Sequence, residues 1–474
     1  MKKLYSNLTG IRHAMQTGET DCVRLVNHYL QKIESQKHLN AILEVYSDES
    51  LLKAAEIDAK IKSGTAGRLA GMVIAIKDNI CYKGHHISSS SKILEGFESL
   101  FSATVVERLL AEDAIIIARC NCDEFAMGAS NENSAYGPVL NAADNTRVPG
   151  GSSGGSAVAV QADMCLAALG SDTGGSVRQP ASFCGLFGIY PTYGRVSRWG
   201  LAAYASSFDQ IGPLTSSVED MALIMEVISG MDDHDATMQQ IPAPVISLNE
   251  SLKPLKIAYL KDCEEHPGLD SEIKQHLSDK IKNLEEKGHS VSAIDFPYLD
   301  YMVPCYYVLT TAEASSNLSR YSGLAFGYRS DDATDLESTF KKSRSEGFGA
   351  EVQRRIMLGT FVLSSDHYDA YYTKAQKVRQ VIRQKTLDIF KEFDVIIIPT
   401  ASTPAFKLGE KANNPIAMYL ADLFTVQANL AGIPAVSVPT GHHKGDNMPF
   451  GLQIMGDRFS EPLLLQLAAE MVKY

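Results

Sequence analysis

Short apolar runs alternate with amphipathic segments along the chain. Residues 20–36 place apolar side chains near helical spacing behind Thr20, a candidate N-cap, whereas the β-branched run 71–77 has the pattern of a buried strand. Further strands are predicted at 41–46, 114–118, 186–190, 255–260, 291–294, 395–398, 435–438 and 450–455. Further helices are predicted at 51–64, 103–111, 217–230, 272–287 and 461–473. This alternation predicts an α/β fold whose mixed, mostly parallel central sheet is covered by helices on both faces.

The length of the chain, 474 residues, has room for two or three average domains or for one large α/β domain. Residues 231–250, which contain paired aspartates and two prolines, form the best candidate connector. The part before it divides into an N-terminal helical segment, 1–65, and a core, 66–230. The part after it, 251–474, is predicted to complete the same sheet, so that one domain spans the chain.

Charge, cysteine spacing and the length of the hydrophobic runs make several classes of function unexpected for this chain. The 56 acidic residues outnumber the 44 lysines and arginines, and the formal net charge is -12. Because nonspecific affinity for nucleic acid comes from clustered cations, this chain alone is not expected to grip a phosphate backbone, although contact through a partner stays open. The eight cysteines include no C-x-x-C pair and no finger-like His/Cys spacing, so no bound metal is expected. The first residues lack a signal-peptide pattern and no run reaches membrane-spanning length, which predicts a cytoplasmic protein.

Two glycine-serine clusters, Gly150 to Ser156 and Gly174 to Ser176, carry the candidate chemistry. Between them lies the apolar segment 157–169, which predicts a short helix followed by a buried strand. A flexible linker would be polar throughout, and glycine permits close backbone approaches that a β-carbon forbids. One such cluster is most simply a tight packing turn, but two that deliver serines to the ends of buried elements indicate a catalytic centre.

A serine nucleophile needs a base, and none of the twelve histidines lies in these clusters. The pattern Gly150-x-Ser152-x-Gly154 matches a nucleophile elbow, but the preceding residues, 141–147, predict a loop rather than the strand that the elbow requires. Neither cluster contains the lysine of a phosphate-binding loop. Lys77 ends a predicted buried strand, where desolvation favours a neutral amine that accepts a proton. The alternative, a lysine paired with Asp78 or reaching solvent, would be preferred without the serine clusters.

Lys77, the run G-G-S-S-G-G-S and the run D-T-G-G-S-V-R together resemble the amidase signature family. The resemblance implies the single large α/β fold of that family and a Ser-cisSer-Lys triad. By position, Ser176 is the acyl-accepting nucleophile, Ser152 is the bridging hydroxyl after a cis Gly151–Ser152 peptide bond, and Lys77 is the base.

The same resemblance implies an oxyanion hole on the second glycine-serine cluster. The main-chain N–H groups of Thr173, Gly174, Gly175 and Ser176 are expected to stabilise the oxyanion, and such donors contribute strongly to the rate. Ser153 is expected to support the triad as a neighbour.

Further blocks of sequence resemble the glutamine-dependent tRNA amidotransferase branch of this family. They lie at 121–137, 191–197, 312–320, 344–349, 354–359, 368–371, 374–379 and 429–434. The resemblance implies glutamine hydrolysis that supplies ammonia to a partner, which converts Glu-tRNA(Gln) to Gln-tRNA(Gln), and it leaves conversion of Asp-tRNA(Asn) to Asn-tRNA(Asn) open. It implies a heterotrimer with subunits B and C, in which the partner binds tRNA and uses ATP and magnesium, while this chain needs no cofactor.

The branch also implies a tyrosine, an arginine and an aspartate around glutamine. We assign these to Tyr307, Arg355 and Asp422, with Tyr306 and Arg354 as adjacent alternatives. An arginine can hold the α-carboxylate bidentately and an aspartate the α-ammonium, so that a free amino acid is recognised at both charges. The simpler interpretation of Arg355 as a surface ion pair and of Asp422 as a helix-face charge stays open. So do two other functions for the chain, a freestanding amidase of small amides and a catalytically idle scaffold.

Overall fold

A single sheet of eleven strands runs through the computed structural model, which describes residues 3–411 and 414–472. Its strands are β1 Ile42–Val45, β2 Val73–Lys77, β3 Ile115–Cys120, β4 Ala167–Asp172, β5 Phe187–Tyr190, β6 Gln210–Thr215, β7 Lys256–Leu260, β8 Ser290–Ile294, β9 Val395–Pro399, β10 Ala435–His442 and β11 Pro449–Gly456. Their order across the sheet is β1-β3-β2-β4-β6-β5-β10-β11-β9-β7-β8.

Sixteen α-helices connect and cover these strands within the described residues. The first eight are α1 Leu8–Gln16, α2 Cys22–Ser35, α3 Ser47–Ser63, α4 Thr104–Ala111, α5 Gly154–Gln161, α6 Arg178–Cys184, α7 Val218–Ile228 and α8 Lys261–Glu264. The others are α9 Ser271–Glu286, α10 Leu299–Asn317, α11 Leu336–Gly347, α12 Ala350–Leu363, α13 Lys374–Ile389, α14 Pro415–Tyr419, α15 Val426–Ala431 and α16 Glu461–Val472. In this described part, no helix is both long enough and apolar enough to span a bilayer.

Both faces of the sheet are covered by apolar cores. In β9, Val395 and Ile397 belong to one buried cluster, whereas Ile396 and Ile398 belong to another. Because successive side chains of a strand point to opposite faces, the two clusters lie on opposite sides of the sheet at this strand. A strand that is buried on both faces reads as the continuous apolar run seen in the sequence.

The α/β class and the mixed sheet are confirmed, but fewer strands are parallel than the sequence suggested. Among the described residues, four of the ten strand pairings are parallel and six are antiparallel. One reason is β6, which the apolar pattern did not predict because its residues, Q-I-G-P-L-T, include a glycine and a proline. This strand lies between β4 and β5 and pairs antiparallel with both.

The predicted connector, 231–250, lies between β6 and β7 and contains no helix or strand. Strands β1 to β6 precede it and occupy one side of the sheet, and β7 to β11 follow it and occupy the other. The two sets meet at one pairing, β5 with β10, which we call the seam. The division of the chain into segments stays a prediction, but the seam fixes how the residues before and after the connector face each other.

Candidate active site

The site forms at the edge of the sheet where two neighbouring parallel strands end. Strands β2 and β4 are paired in parallel, with Ile76 opposite Leu169, so their carboxyl ends reach the same edge of the sheet. Lys77 is the last residue of β2, and the turn that carries Ser176 directly follows β4. The first glycine-serine cluster lies at the beginning of α5, which packs on both strands. The two clusters and the lysine are therefore brought together.

Lys77 is fully buried, and its amine contacts three serine hydroxyls. The Nζ atom lies 2.7 Å from Oγ of Ser152 and 3.0 Å from Oγ of both Ser153 and Ser171. Burial lowers the pKa of Lys77, because desolvation disfavours the ammonium form. The carboxylates of Asp123, Asp172 and Asp209 and the thiol of Cys122 oppose this shift in part. A depressed pKa is what a lysine needs in order to act as a base.

A hydrogen bond between main-chain groups joins the two glycine-serine clusters. The peptide bond between Gly151 and Ser152 is cis, as the resemblance implied. The N–H of Ser153 donates to the carbonyl oxygen of Ser176 at 3.1 Å. The side chain of Ser176 is 8% exposed, whereas Ser152 is fully buried. Ser176 is therefore the member of the predicted triad that a substrate reaches first.

Two glycines are required in the turn after β4. Gly175 has φ +130°, and a β-carbon there would lie 2.2 Å from Oγ1 of Thr425. A β-carbon on Gly174 would lie 2.5 Å from the phenolic oxygen of Tyr306. Thr425 also donates to the carbonyl oxygen of Gly174 at 2.6 Å. Segments from beyond the connector therefore pack directly on the turn that carries Ser176.

The predicted oxyanion donors are not equivalent. Gly175 N–H donates to Oδ1 of Asp172 at 2.8 Å, so in this structure it already has an acceptor. Within 3–411 and 414–472, the main-chain N–H groups of Thr173, Gly174 and Ser176 have no protein acceptor. The Thr173 hydroxyl donates to Asp209 at 2.6 Å, which fixes this end of the turn. Three N–H groups of the turn are thus available to an oxyanion.

A buried arginine that the sequence reasoning did not assign a role holds this turn. Nε and Nη2 of Arg178 donate to the two oxygens of Asp172 at 3.0 and 3.1 Å, and Nη2 also donates to Asn429 at 2.6 Å. Nη1 donates to the carbonyl oxygen of Thr425 and to the side chain of Gln453. Every N–H of the guanidinium thus has an acceptor. The signal in the sequence was an acid and an arginine inside an otherwise uncharged glycine-serine stretch.

The residues predicted to bind glutamine lie together on the other side of the turn. Tyr307 belongs to α10 and Arg355 to α12, two helices that pack along each other, and Asp422 lies between α14 and α15. The Tyr307 hydroxyl donates to Oδ2 of Asp422 at 2.9 Å, and its ring stacks on Tyr419 with 4.0 Å between centroids. Burial raises the pKa of Asp422 to about 7, although Tyr307 and Arg355 favour its charged form.

Arg355 is 3% exposed and is not a surface ion pair. Its Nε donates to Glu351 and its Nη1 to the hydroxyl of Tyr204, both at 2.8 Å. The guanidinium also lies over the rings of Tyr204, Tyr307 and Tyr419, at 5.2 to 5.6 Å from their centroids. In the described part of the chain, Nη2 has no acceptor. Glu351 and Tyr204, which the sequence reasoning missed, therefore orient the arginine.

The adjacent alternatives lie elsewhere. Arg354 pairs with Glu351 on the outer side of α12 and is largely exposed. Tyr306 is buried between Phe208 and Tyr307 and touches Gly174. Tyr306 thus faces the catalytic turn, whereas Tyr307 faces Asp422.

The described ranges contain no group of three or more His, Cys, Asp or Glu side chains arranged to hold a metal ion. The site is instead built from hydroxyls, main-chain N–H groups, one buried amine, the buried ion pair of Arg178 with Asp172 and the buried guanidinium of Arg355. These groups are suited to acyl transfer through a serine ester.

Comparisons with known proteins agree with this chemistry. The model of the amidase family matches residues 24–465. In Chlorobaculum tepidum, the A subunit of the glutamyl-tRNA(Gln) amidotransferase is 50% identical, covering 97% of this chain and 96% of its own, and that of Koribacter versatilis is 49% identical, covering 96% of each. The crystal structure of the corresponding Thermotoga maritima protein superposes with a TM-score of 0.77 and 40% identity, covering 94% of this chain and 90% of its own. The chain therefore belongs to the amidase signature family of enzymes.

Proposed function

We propose that this chain hydrolyses the side-chain amide of glutamine through Lys77, Ser152 and Ser176, as the ammonia-supplying subunit of a tRNA amidotransferase. The observation that carries the proposal is the 2.7 Å contact between the buried amine of Lys77 and the hydroxyl of Ser152. Burial lowers the pKa of this amine, which suits it to act as a base, and the main-chain hydrogen bond from Ser153 to Ser176 ties the segment of the nucleophile to that of the bridging hydroxyl.

In the acylation step, neutral Lys77 takes the proton of the Ser152 hydroxyl while Ser152 takes that of Ser176. The Ser176 oxygen attacks the amide carbon, and the free N–H groups of Thr173, Gly174 and Ser176 stabilise the oxyanion. The carbon–nitrogen bond then breaks, and the proton returns through Ser152 to the leaving nitrogen, which departs as ammonia. Water, activated by the same base, attacks the γ-glutamyl ester and releases glutamate.

Glutamine is recognised at both of its charges. Asp422 accepts hydrogen bonds from the α-ammonium, and Arg355 meets the α-carboxylate through its free Nη2. Since Nη1 already donates to Tyr204, a bidentate grip shares that atom between the tyrosine hydroxyl and the substrate. The stacked rings of Tyr307 and Tyr419 form a wall beside the carbon chain that links these two ends.

The ammonia serves a second reaction on another protein of the complex. The relatives are named as the A subunit of a glutamyl-tRNA(Gln) amidotransferase, which supports a complex with other subunits. We propose that subunits B and C are these partners and that the complex converts Glu-tRNA(Gln) to Gln-tRNA(Gln). In this proposal the partner binds tRNA and activates the glutamate with ATP and magnesium, and the net negative charge of this chain, -12, fits a subunit that does not itself hold tRNA. Conversion of Asp-tRNA(Asn) by the same complex is a further activity to assay.

The experiment is ammonia release from glutamine by the purified chain with its copurifying subunits. We expect Ser176→Ala to lose the activity by about 10⁴-fold or more while still binding glutamine. The matched control is Ser437→Ala, which removes another buried serine hydroxyl, one that lies on β10 and contacts Thr400. Turnover at the wild-type rate by Ser176→Ala would disprove the triad.

A freestanding amidase is the second candidate, because the triad would serve either enzyme. The charged pocket distinguishes them, since Arg355 and Asp422 have a use only when the substrate carries both amino-acid charges. An assay of glutamine against glutaminol and simple aliphatic amides, with and without subunits B and C, decides between the two. Faster turnover of the simple amides by the lone chain would favour the amidase, and trapping of Ser176 by an acylating probe would dismiss an idle scaffold.

A further inference from the structure

The surroundings of Lys77 contain two polar side chains that the triad does not use. Oγ of Ser171 lies 3.0 Å from the Lys77 amine, and Nδ2 of Asn79 donates to the same oxygen at 2.9 Å. Both side chains are almost fully buried, with Asn79 1% and Ser171 2% exposed. Asn79 follows the end of β2 by two residues, and Ser171 is the next-to-last residue of β4. They link the two strands on which the site is built.

The hydrogen-bond donors and acceptors around Lys77 define what Asn79 and Ser171 do. The ammonium form of Lys77 has three N–H groups and three hydroxyl oxygens within 3.0 Å, those of Ser152, Ser153 and Ser171, and the carbonyl oxygen of Ser171 lies farther away, at 3.4 Å. The neutral amine has only two N–H groups and one lone pair. One of the three hydroxyls must then donate to the lysine, and catalysis requires that this be Ser152.

The geometry commits the other two hydroxyls to accepting. Ser153 donates its own proton to the carbonyl oxygen of Ser171 at 3.1 Å, so its oxygen meets Lys77 only as an acceptor. The oxygen of Ser171 receives Asn79 on one lone pair and Lys77 on the other. With both N–H groups of the neutral amine used in this way, its lone pair points at Ser152.

We propose that Asn79 and Ser171 are positioning residues that aim the lone pair of Lys77 at the Ser152 hydroxyl. This inference rests on the proposed Lys77 triad and extends it by two residues. If the Asn79 donor is lost, the Ser171 oxygen accepts from Lys77 alone, and this stronger hydrogen bond favours the charged lysine, which cannot take the proton of Ser152. If the Ser171 hydroxyl is lost, one N–H of Lys77 has only the carbonyl oxygen of Ser171 at 3.4 Å as its acceptor, and the amine can rotate toward it.

Loss of the Ser171 hydroxyl and loss of the Asn79 donor shift the pKa of Lys77 in opposite directions. Ser171 accepts from the ammonium, so Ser171→Ala removes a stabilising hydrogen bond from the charged form and lowers the pKa of Lys77 further. Asn79 donates into the same oxygen, so Asn79→Leu leaves Ser171 a stronger acceptor and raises that pKa. The other groups that act on the amine are Cys122, Asp123, Asp172 and Asp209, and neither substitution changes them.

The test is the pH profile of glutamine hydrolysis by the full chain with its copurifying subunits. We expect Ser171→Ala and Asn79→Leu each to lower kcat by about 10- to 100-fold, with KM changed by less than about twofold. The acid limb of kcat, measured at saturating glutamine so that the effect of Asp422 on KM does not contribute, is expected to move to lower pH in Ser171→Ala and to higher pH in Asn79→Leu, by about half a unit to one unit each. Ser171→Thr keeps the hydroxyl and should restore most of kcat, and Ser437→Ala should resemble the wild type.

Shifts in the same direction, no shift in either variant, or a loss confined to KM would overturn the positioning role. If Ser171→Ala does not fold, Ser171→Cys replaces the hydroxyl with a weak acceptor of similar size and must move the limb in the same direction. Ser176→Ala separates the two hypotheses. An inactive Ser176→Ala with unshifted Ser171 and Asn79 variants disproves only this inference, whereas an active Ser176→Ala disproves the triad itself.

Discussion

The hydroxyl of Tyr307 donates to Oδ2 of Asp422 at 2.9 Å, in the pocket beside the catalytic turn. Burial raises the pKa of Asp422 to about 7. Because only the carboxylate form attracts the α-ammonium of glutamine, we expect KM for glutamine to fall as pH rises toward this value, by about tenfold for each pH unit below it, and then to level off. Steady-state kinetics across a pH range that spans the pKa measures this.

Tyr307→Phe tests the cause of that profile. The hydroxyl favours the charged form of Asp422, so its removal raises the pKa of Asp422 and moves the fall in KM to higher pH. Tyr82→Phe is the matched control, because it removes a tyrosine hydroxyl that donates to Glu49, a carboxylate elsewhere on the chain. A KM for glutamine that does not change with pH would contradict the role of Asp422.

Lys77 should affect the pH dependence of the free energy of unfolding as well as the activity. Its pKa is lower in the folded chain than its ordinary value of 10.5, so the unfolded chain binds the proton more tightly. The free energy of unfolding of the wild type therefore rises as pH increases from the folded pKa to 10.5. Lys77→Met removes this dependence, and its stability relative to the wild type should decline across that window while glutamine hydrolysis is lost.

Urea unfolding at several fixed pH values measures the effect. Lys341→Met, on an exposed helical surface, should keep the pH dependence of the wild type. A difference between Lys77→Met and the wild type that stays constant as pH rises would show that the folded lysine has no depressed pKa.

Arg178 is expected to be among the most sensitive positions for stability. Replacing it by methionine leaves the buried carboxylate of Asp172 without its two strongest donors, and breaking a buried pair in this way costs about 3–5 kcal/mol. Arg24→Met, at an exposed pair with Asp21, should cost less than about 1 kcal/mol. Denaturant unfolding of both variants compares the two, and equal losses would mean that the buried network does not hold the turn.

Gly174 is expected to be intolerant of a side chain because of Tyr306. A β-carbon there would lie 2.5 Å from the phenolic oxygen, so Gly174→Ala should lower stability by about 1–3 kcal/mol and kcat/KM by about 100-fold as the turn shifts. Adding Tyr306→Leu removes the atoms that clash and should recover part of both losses. A double variant no better than Gly174→Ala alone would place the cause in the backbone rather than in this contact.

Much of the fold could be predicted from hydrophobic pattern alone. The run at Val73–Lys77 became a central strand as expected, because a parallel strand buried on both faces is apolar throughout. Strand β6 could not be predicted in the same way, since Gly212 and Pro213 are poor strand residues and its position depends on neighbours that are distant in sequence. The helix α1 was missed, although Asn7 accepts a hydrogen bond from Gly10 as an N-cap.

The residues of the site could be predicted only where they form a short, recognisable run of sequence. Lys77 and the two glycine-serine clusters stand out because charge or glycine interrupts an apolar run. The partners of Arg355 do not, since Tyr204 and Glu351 are ordinary residues until α12 packs against α10 and the loop after β5. Roles that depend on long-range packing need coordinates, even when the residue types are visible.

The seam has a consequence for how such an enzyme can change its substrate. Bond-breaking groups all come from the six strands and loops on one side, whereas Tyr307, Arg355 and Asp422 come from the other, and the pairing of β5 with β10 joins them. The half that recognises the amide can therefore diverge by mutation while the half that cleaves it is inherited unchanged. Chemistry and selectivity in this architecture are separately evolvable, provided that the backbone pairing and the contacts of Arg178 with Thr425, Asn429 and Gln453 across it are preserved.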